Sequence, residues 1–137
     1  MFLTIFTGVM VFVLGQFVLE LIINPIKKYK ELKERIAYTL AMYCCLYTNP
    51  YRFDDGINVR DQKEYDLASE EVRKIGSELA GFLGNIPKLM KKTRKNLNEV
   101  KSCLIGISNG FYQYPNDCPI RDNRENEKRI KKILKID

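Results

Sequence analysis

The sequence contains no histidine and no tryptophan, and only 4 of its 137 residues are cysteine. Histidine is the side chain best suited to general-base chemistry near neutral pH, and it is the commonest metal ligand. Its absence argues against hydrolytic triads and against Cys/His zinc sites. The chain also lacks GxxxxGK[ST], GxGxxG, HExxH and CxxC segments. We therefore predict a protein that is not an enzyme, with no catalytic residue, no cofactor and no metal.

Charge is nearly absent from the first 23 residues, where Glu20 is the only ionisable side chain. The other residues hold all 23 Lys and Arg against 16 Asp and Glu, so a basic polar body follows an apolar leader. At about 1.5 Å per residue, a helix of this length crosses the roughly 30 Å hydrocarbon core of a bilayer. No basic residue precedes the leader and no small-residue cleavage site follows it, in contrast to a signal peptide. Residues 1–24 are therefore predicted to be a transmembrane anchor, with a buried core helix and a cleaved signal as the alternatives.

The flanking charges predict the orientation of this anchor. Basic residues beside a membrane span are retained on the cytoplasmic side. The basic residues that directly follow the leader are Lys27, Lys28, Lys30, Lys33 and Arg35. We therefore expect an inner-membrane protein with its N-terminus outside and its C-terminus in the cytosol, where thiols stay reduced.

Small residues recur along the leader at spacings of four and three, which gathers them into one seam. Close backbone approach and interhelical hydrogen bonds drive helix association in lipid, so such a seam predicts self-association. Two polar residues one turn apart lie beside it. The glutamate marks the headgroup boundary, or both residues line a subunit contact or a water-filled path. The seam and its polar neighbours are Thr4, Gly8, Val11, Gly15, Gln16 and Glu20.

The body has apolar residues at helical spacing and no stretch that alternates with period two. Four helices are predicted over about 25–47, 61–83, 96–109 and from Asp122 into the tail. Short connections favour an up-down four-helix bundle over 25–137, so the predicted fold class is all-α. The predicted apolar stripes are Ile26, Tyr29, Leu32 or Lys33, Ile36, Leu40, Tyr43 and Tyr47; Tyr65, Ala68, Val72, Ile75, Leu79 and Phe82; Leu97, Val100, Leu104 and Ile107; and Ile130, Ile133 and Leu134.

Basic residues form three segments that such a bundle would bring to its membrane-proximal end. A charge run by itself is usually a solvated helix face, but each Lys or Arg close to an anionic leaflet contributes about 1 kcal/mol of binding. The predicted partners are therefore anionic headgroups, with a nucleic acid or an anionic small ligand as the alternative. The three segments comprise Lys27, Lys28 and Lys30; Lys88, Lys91, Lys92, Arg94 and Lys95; and Lys128, Arg129, Lys131, Lys132 and Lys135.

Aromatic residues cluster after the second and the fourth predicted helices, at the opposite end of the bundle. They form either a packed cap or a surface for a partner or for base stacking. The two groups are Tyr43, Tyr47, Tyr51 and Phe53, and Phe111, Tyr112 and Tyr114. Cys44, Cys45, Cys103 and Cys118 are interpreted as packing residues, with zinc binding or redox sensing as the alternatives.

The segments LIINPIKKYKELKERIAYTL (21–40) and LIGISN (104–109) resemble small single-pass bacterial membrane proteins of unassigned function. In its layout the chain is also similar to the membrane-anchored accessory protein of type VI-B CRISPR systems, a helical bundle related to the HEPN ribonuclease fold. That resemblance implies self-association in the membrane and a role in antiviral defence. HEPN ribonucleases use an Arg followed a few residues later by a His. This chain has no His, so the resemblance assigns an RNA-cleaving role to none of its residues.

Two functions follow as hypotheses. The first is a self-associating, non-enzymatic single-pass membrane protein that acts as a pore-like or scaffolding effector or accessory. The second is a membrane-tethered module that binds nucleic acid or an anionic small ligand through its basic segments. A second copy of the chain is the expected partner, and a protein or RNA partner stays open.

Overall fold

The computed structural model describes residues 1–53, 58, 60–86, 91–114 and 118–136, with the backbone alone at Phe2. Its helices are α1 (Phe2–Val18), α2 (Asn24–Thr48), α3 (Gln62–Asn85), α4 (Lys91–Asn109) and α5 (Pro119–Leu134). The chain divides into two compact units, unit 1 (Met1–Leu32) and unit 2 (Lys33–Asp137). The predicted all-α class is confirmed.

Unit 1 is built on the apolar leader. A five-residue π-helical turn, Leu19–Ile23, joins α1 to α2, and the Asn24 N–H donates to the carbonyl of Leu19. Pro25 explains the turn, because proline has no N–H to donate and its ring crowds the carbonyl one turn before it. The helix that begins at Leu3 is long enough and apolar enough to cross a membrane, and no residue of its apolar window is buried.

Unit 2 contains the core, and most of the predicted apolar stripes are buried in it. Every stripe residue of α4 is buried, and so are Ile130 and Leu134 on α5. The buried stripe residues of α3 are Tyr65, Ala68, Val72, Ile75 and Leu79. Ile26 is exposed, and Tyr29, Tyr43, Phe82 and Ile133 are only half-buried, so the prediction was wrong for these. Buried residues that the stripes missed include the apolar Leu46, Leu83, Ile86, Cys103 and Phe111 and the polar Thr39, Ser69, Ser108 and Asn123.

The helix bounds differ from the predicted ones at two N-termini. Helix α4 begins at Lys91 rather than at residue 96, because Lys and Arg are good helix formers even where they add no apolar stripe. Helix α5 begins at Pro119 rather than at Asp122. Proline is favoured at the first helical position, and it leaves Asp122 in the first turn, where its charge suits the positive end of the helix dipole.

One feature of unit 2 was absent from the predictions, a pair of two-residue parallel strands. Strand β1 (Tyr51–Arg52) follows α2 and pairs with β2 (Tyr112–Gln113), which follows α4. The Tyr51 N–H also donates to the carbonyl of Phe111 at 2.8 Å. Two residues are too few to produce a recognisable alternation in the sequence.

A buried amide ties three elements of unit 2 together beside these strands. The Nδ2 of Asn123, on α5, donates to the carbonyl of Tyr47 at 2.8 Å and to the carbonyl of Gly110 at 2.7 Å. Asn123 is 1% exposed. Tyr47 lies near the end of α2, where carbonyls have no partner within the helix, so the amide satisfies an otherwise orphaned acceptor. We call this group the Asn123 latch.

Candidate self-association and anion-binding surfaces

The predicted seam lies on the exposed surface of α1. Thr4, Gly8, Val11 and Gly15 are all exposed, and a Cβ added at either glycine would meet nothing within 4 Å. Gln16, at the end of the seam, and Glu20, in the π-helical turn, are exposed as well. The chain itself therefore leaves the face of the two glycines open to another helix.

The first basic segment belongs to unit 1. Lys27, Lys28 and Lys30 are exposed on α2, and Lys28 lies 3.9 Å from Glu31. At that distance and exposure the ion pair contributes little, so all three charges remain available to an anionic surface.

The basic segment of α5 is partly neutralised by the helix itself. Arg129 pairs with Glu125 at 2.6 Å, and Lys131 pairs with Glu127 at 3.1 Å. Lys128, Lys132 and Lys135 are exposed and form no ion pair with the described residues. Lys135 ends the helix in the left-handed conformation, with φ of 53°. Two of the five predicted cations on this helix are thus already partnered.

The basic segment of α4 has a different environment. Lys91, Lys92, Arg94 and Lys95 are exposed, and within the described part of the chain none of them is ion-paired. Lys88 lies outside the described residues. Helix α4 also has no acidic residue in its first turn. Cations are disfavoured at the positive end of a helix dipole, so the charges of this group interact unfavourably with the dipole of α4 itself.

A groove of about 560 Å³ runs between the last turns of α3 and the first turns of α4. We call it the α3–α4 groove. Its cations are Lys91, Arg94, Lys95 and Lys101, of which the sequence analysis missed Lys101 because it stands apart from the charge run. The rest of the described lining is Ala80, Leu83, Gly84 and Asn98, which brings no negative charge.

The ends of three helices meet at one end of unit 2. The Lys33 Nζ donates to the carbonyl of Lys135 at 3.2 Å, which places the end of α5 beside the first residue of the unit. Arg35 is ion-paired with Glu78 on α3, close before the turn that lines the groove. Unpaired cations of α4 and α5 therefore share the end of unit 2 that begins at Lys33.

The predicted aromatic groups meet at the other end of unit 2, except for Tyr43, which makes no ring contact with the described residues. Tyr47 packs edge-on against Phe111, with ring centroids 6.2 Å apart. Phe53 stacks on Tyr112 at 6.0 Å and on Tyr114 at 5.7 Å. The sequence analysis missed Tyr65 of α3, which completes the cluster 5.4 Å from Tyr51.

Two phenols of this cluster are perturbed by their surroundings. Burial raises the pKa of Tyr47, whose hydroxyl donates to the carbonyl of Leu40 at 3.1 Å. Burial and a hydrogen bond donated to Asp66 raise the pKa of Tyr112. Both groups therefore stay neutral far above physiological pH and act as packing and hydrogen-bonding residues.

The four cysteines do not share one environment. Cys103 is buried, and burial, with Glu99 nearby, raises the pKa of its thiol, as the packing interpretation expects. Cys44 is half-buried. Cys45 and Cys118 are exposed, so the packing interpretation is wrong for these two.

No protein-family model, curated protein or solved structure matches the chain. The resemblance to small bacterial membrane proteins and to the CRISPR accessory protein therefore stays a prediction.

Proposed function

We propose that the chain is a self-associating single-pass membrane protein that holds a helical body on the cytosolic face of the inner membrane. The observation that carries the proposal is the leader, whose apolar window has no buried residue. An apolar surface of this size is not left in water, so lipid or another apolar helix must cover it. The proposed role is that of a pore-like or scaffolding effector or accessory. A role in antiviral defence is proposed from the resemblance alone.

The proposed body is an up-down bundle. The contacts support an antiparallel path for α3 and α4. Ser69 of α3 donates to the carbonyl of Ser108 at 2.8 Å, whereas Gly76, farther along α3, faces the earlier Leu104, whose Cβ is 3.7 Å from a Cβ added at the glycine. The first turns of α3 thus face the last turns of α4. Asn123 and Lys135 make the corresponding contacts of α5 with opposite ends of the α2 segment in unit 2.

The orientation gives the first expected result. A reporter that is active only in the cytosol, fused after Asp137, should be active, because several basic residues directly follow the leader and are retained on the cytoplasmic side. A reporter active only in the periplasm, fused at the same residue, is the matched control and should be silent. The opposite pattern would refute the proposed topology.

Self-association through the leader gives the second expected result. The double variant Gly8→Ile with Gly15→Ile places two branched side chains on the open seam, where neither meets another part of this chain. It should lower the oligomer size measured by light scattering in detergent without changing the helix content, because helices in lipid associate where their backbones approach closely.

A matched control places isoleucine on another face of the same helix, at Met10 and Phe17. These residues are exposed and lie outside the seam, so this variant should keep the wild-type oligomer. If the two double variants have the same oligomer size as wild type, the contact between copies lies elsewhere in the chain.

A specific observation favours a second function, binding of an anionic ligand by unit 2. The cations of α4 have no acidic partner among the described residues, whereas Arg129 and Lys131 on α5 do. Like charges at helical i,i+4 spacing, such as Lys91 and Lys95, destabilise a helix unless an anion offsets them. An external anion would supply that compensation.

A further inference from the structure

The α3–α4 groove concentrates its positive charge on one helix face. Lys91, Arg94, Lys95, Asn98 and Lys101 are spaced by three or four residues, so their side chains project from the same side of α4. The face extends over about 15 Å along the helix. That length matches a small ligand with one or two charged groups and is short for the extended phosphate track of a nucleic acid.

The facing wall of the groove is small and apolar. Ala80 and Gly84 of α3 leave the space open, and a Cβ added at Gly84 would meet nothing within 4 Å. Leu83 is 6% exposed and supplies an apolar surface beside them. A ligand here meets cations on one side and small or aliphatic residues on the other.

The described residues give the groove no internal counter-charge. Its described lining contains no Asp or Glu, and residues 87–90, which precede α4 in the sequence, are Pro, Lys, Leu and Met. Glu99 lies one helical turn from Lys95 and forms no ion pair with it. Another groove of unit 2, beside the first turns of α5, includes Glu125 and is therefore partly neutralised.

We infer that the α3–α4 groove binds a small phosphate-bearing ligand. Lysine and arginine form strong, charge-assisted hydrogen bonds with phosphate oxygens, and the guanidinium of Arg94 can hold two of them at once. Asn98 adds a neutral donor in the same row. The inference rests on the second proposed function and names its site and its ligand chemistry. The phosphate comes from an anionic lipid headgroup or from a soluble phosphate compound, and the two sources are separated by experiment.

The experiment uses the full-length protein in a neutral detergent at fixed salt. One arm titrates inorganic pyrophosphate by calorimetry. The other adds phosphatidic acid to the same micelles and counts bound lipids by native mass spectrometry. Saturable pyrophosphate binding supports the inference with a soluble source. Binding of phosphatidic acid alone supports it with a headgroup source. In both cases the groove variants described below should weaken the binding.

The variants separate the groove from general positive charge. Gly84→Leu fills the groove without changing any charge, and it should weaken binding about tenfold or more because it excludes the ligand from several charged hydrogen bonds. Gly81→Leu is the matched control, since Gly81 is also exposed, has nothing within 4 Å of an added Cβ and lies outside the groove. It should bind as wild type does. Circular dichroism of both variants checks that α3 is intact.

A pair of charge variants completes the test. Lys95→Gln with Lys101→Gln removes two groove cations, and Lys128→Gln with Lys132→Gln removes two unpaired cations of α5. The first pair should weaken binding about tenfold or more, and the second by less than about threefold.

Two results would overturn the inference. If both charge pairs weaken binding equally and Gly84→Leu has no effect, anions bind to diffuse charge, and the second proposed function survives without this site. If neither phosphate probe binds, the groove holds no phosphate. A single-stranded RNA that then binds with equal sensitivity to both charge pairs would keep the second function as an extended nucleic-acid surface.

Discussion

Gly110→Ala should be one of the most destabilising single substitutions in the chain, although it adds a single methyl group. An added Cβ would overlap the side chain of Asn123, since it would lie 2.7 Å from the amide carbon. The backbone of Gly110 is not left-handed, so the expected cost comes from this overlap and not from strained dihedral angles. Overpacking of a rigid site costs about 1–3 kcal/mol. Loss of the Asn123 hydrogen bond to the buried Tyr47 carbonyl adds about 1–3 kcal/mol, and loss of the bond to the partly buried Gly110 carbonyl adds less.

Thermal unfolding of the detergent-solubilised chain, followed by circular dichroism, measures this effect. We expect Gly110→Ala to lower Tm by about 10 °C or more. Gly81→Ala is the control, because it adds the same methyl group to α3 in open space and should leave Tm unchanged or slightly higher.

A double-mutant cycle checks the physical cause. Asn123→Ala should also destabilise the chain, because both carbonyls lose their donor. Adding Gly110→Ala to Asn123→Ala should then cost much less than Gly110→Ala alone, since the amide that the new methyl group would strike is gone. Additive losses would contradict the latch as the origin of the effect.

The latch also illustrates the limits of prediction from sequence. Apolar periodicity located the four helical regions of the body and most of the buried stripes, because burial of one helix face imposes a regular spacing. Asn123 and Gly110 belong to no such pattern. Asn123 is a polar residue on a highly charged helix, and its burial depends on two carbonyls that come from distant parts of the chain.

The cationic surfaces were also only partly predictable from the sequence. The charge runs on α4 and α5 were evident in the sequence, but the pairs formed by Glu125 and Glu127 depend on side-chain geometry. The groove could not be predicted without knowing which α3 residues face α4, because Gly84 and Ala80 leave space only in that arrangement. Lys101 was missed because it stands apart from the charge run, and only the shared lining of the groove groups it with the other cations.

Removal of residues 1–23 should move the protein from the membrane fraction to the soluble fraction and abolish its self-association. The leader contains fifteen Leu, Ile, Phe and Val residues. On a membrane-insertion scale they contribute together about −5 to −9 kcal/mol, which exceeds the cost of about 3 kcal/mol for one charged residue such as Glu20 even at the bilayer centre. Insertion is therefore favourable with the leader and has no comparable drive without it.

The fragment 24–137 keeps all of unit 2, including the core residues from Ile36 to Leu134 and the Asn123 latch. It should remain helical and melt cooperatively, because these residues belong to one compact unit whose latch contacts are made within that unit. An aggregated or unfolded fragment would instead make the leader part of the core, and membrane anchoring would then lose its basis.

A matched replacement separates anchoring from self-association. A chain in which Phe2–Val18 is exchanged for a Leu/Ala helix of equal length, with no glycine, keeps an apolar span and the basic residues that follow it. It should return to the membrane fraction because insertion depends on apolar composition, yet stay at a smaller oligomer size because the Gly8 and Gly15 face is gone. Membrane fractionation and light scattering in detergent measure the two properties independently. Recovery of the wild-type oligomer by this replacement would transfer the contact between copies from the seam to unit 2.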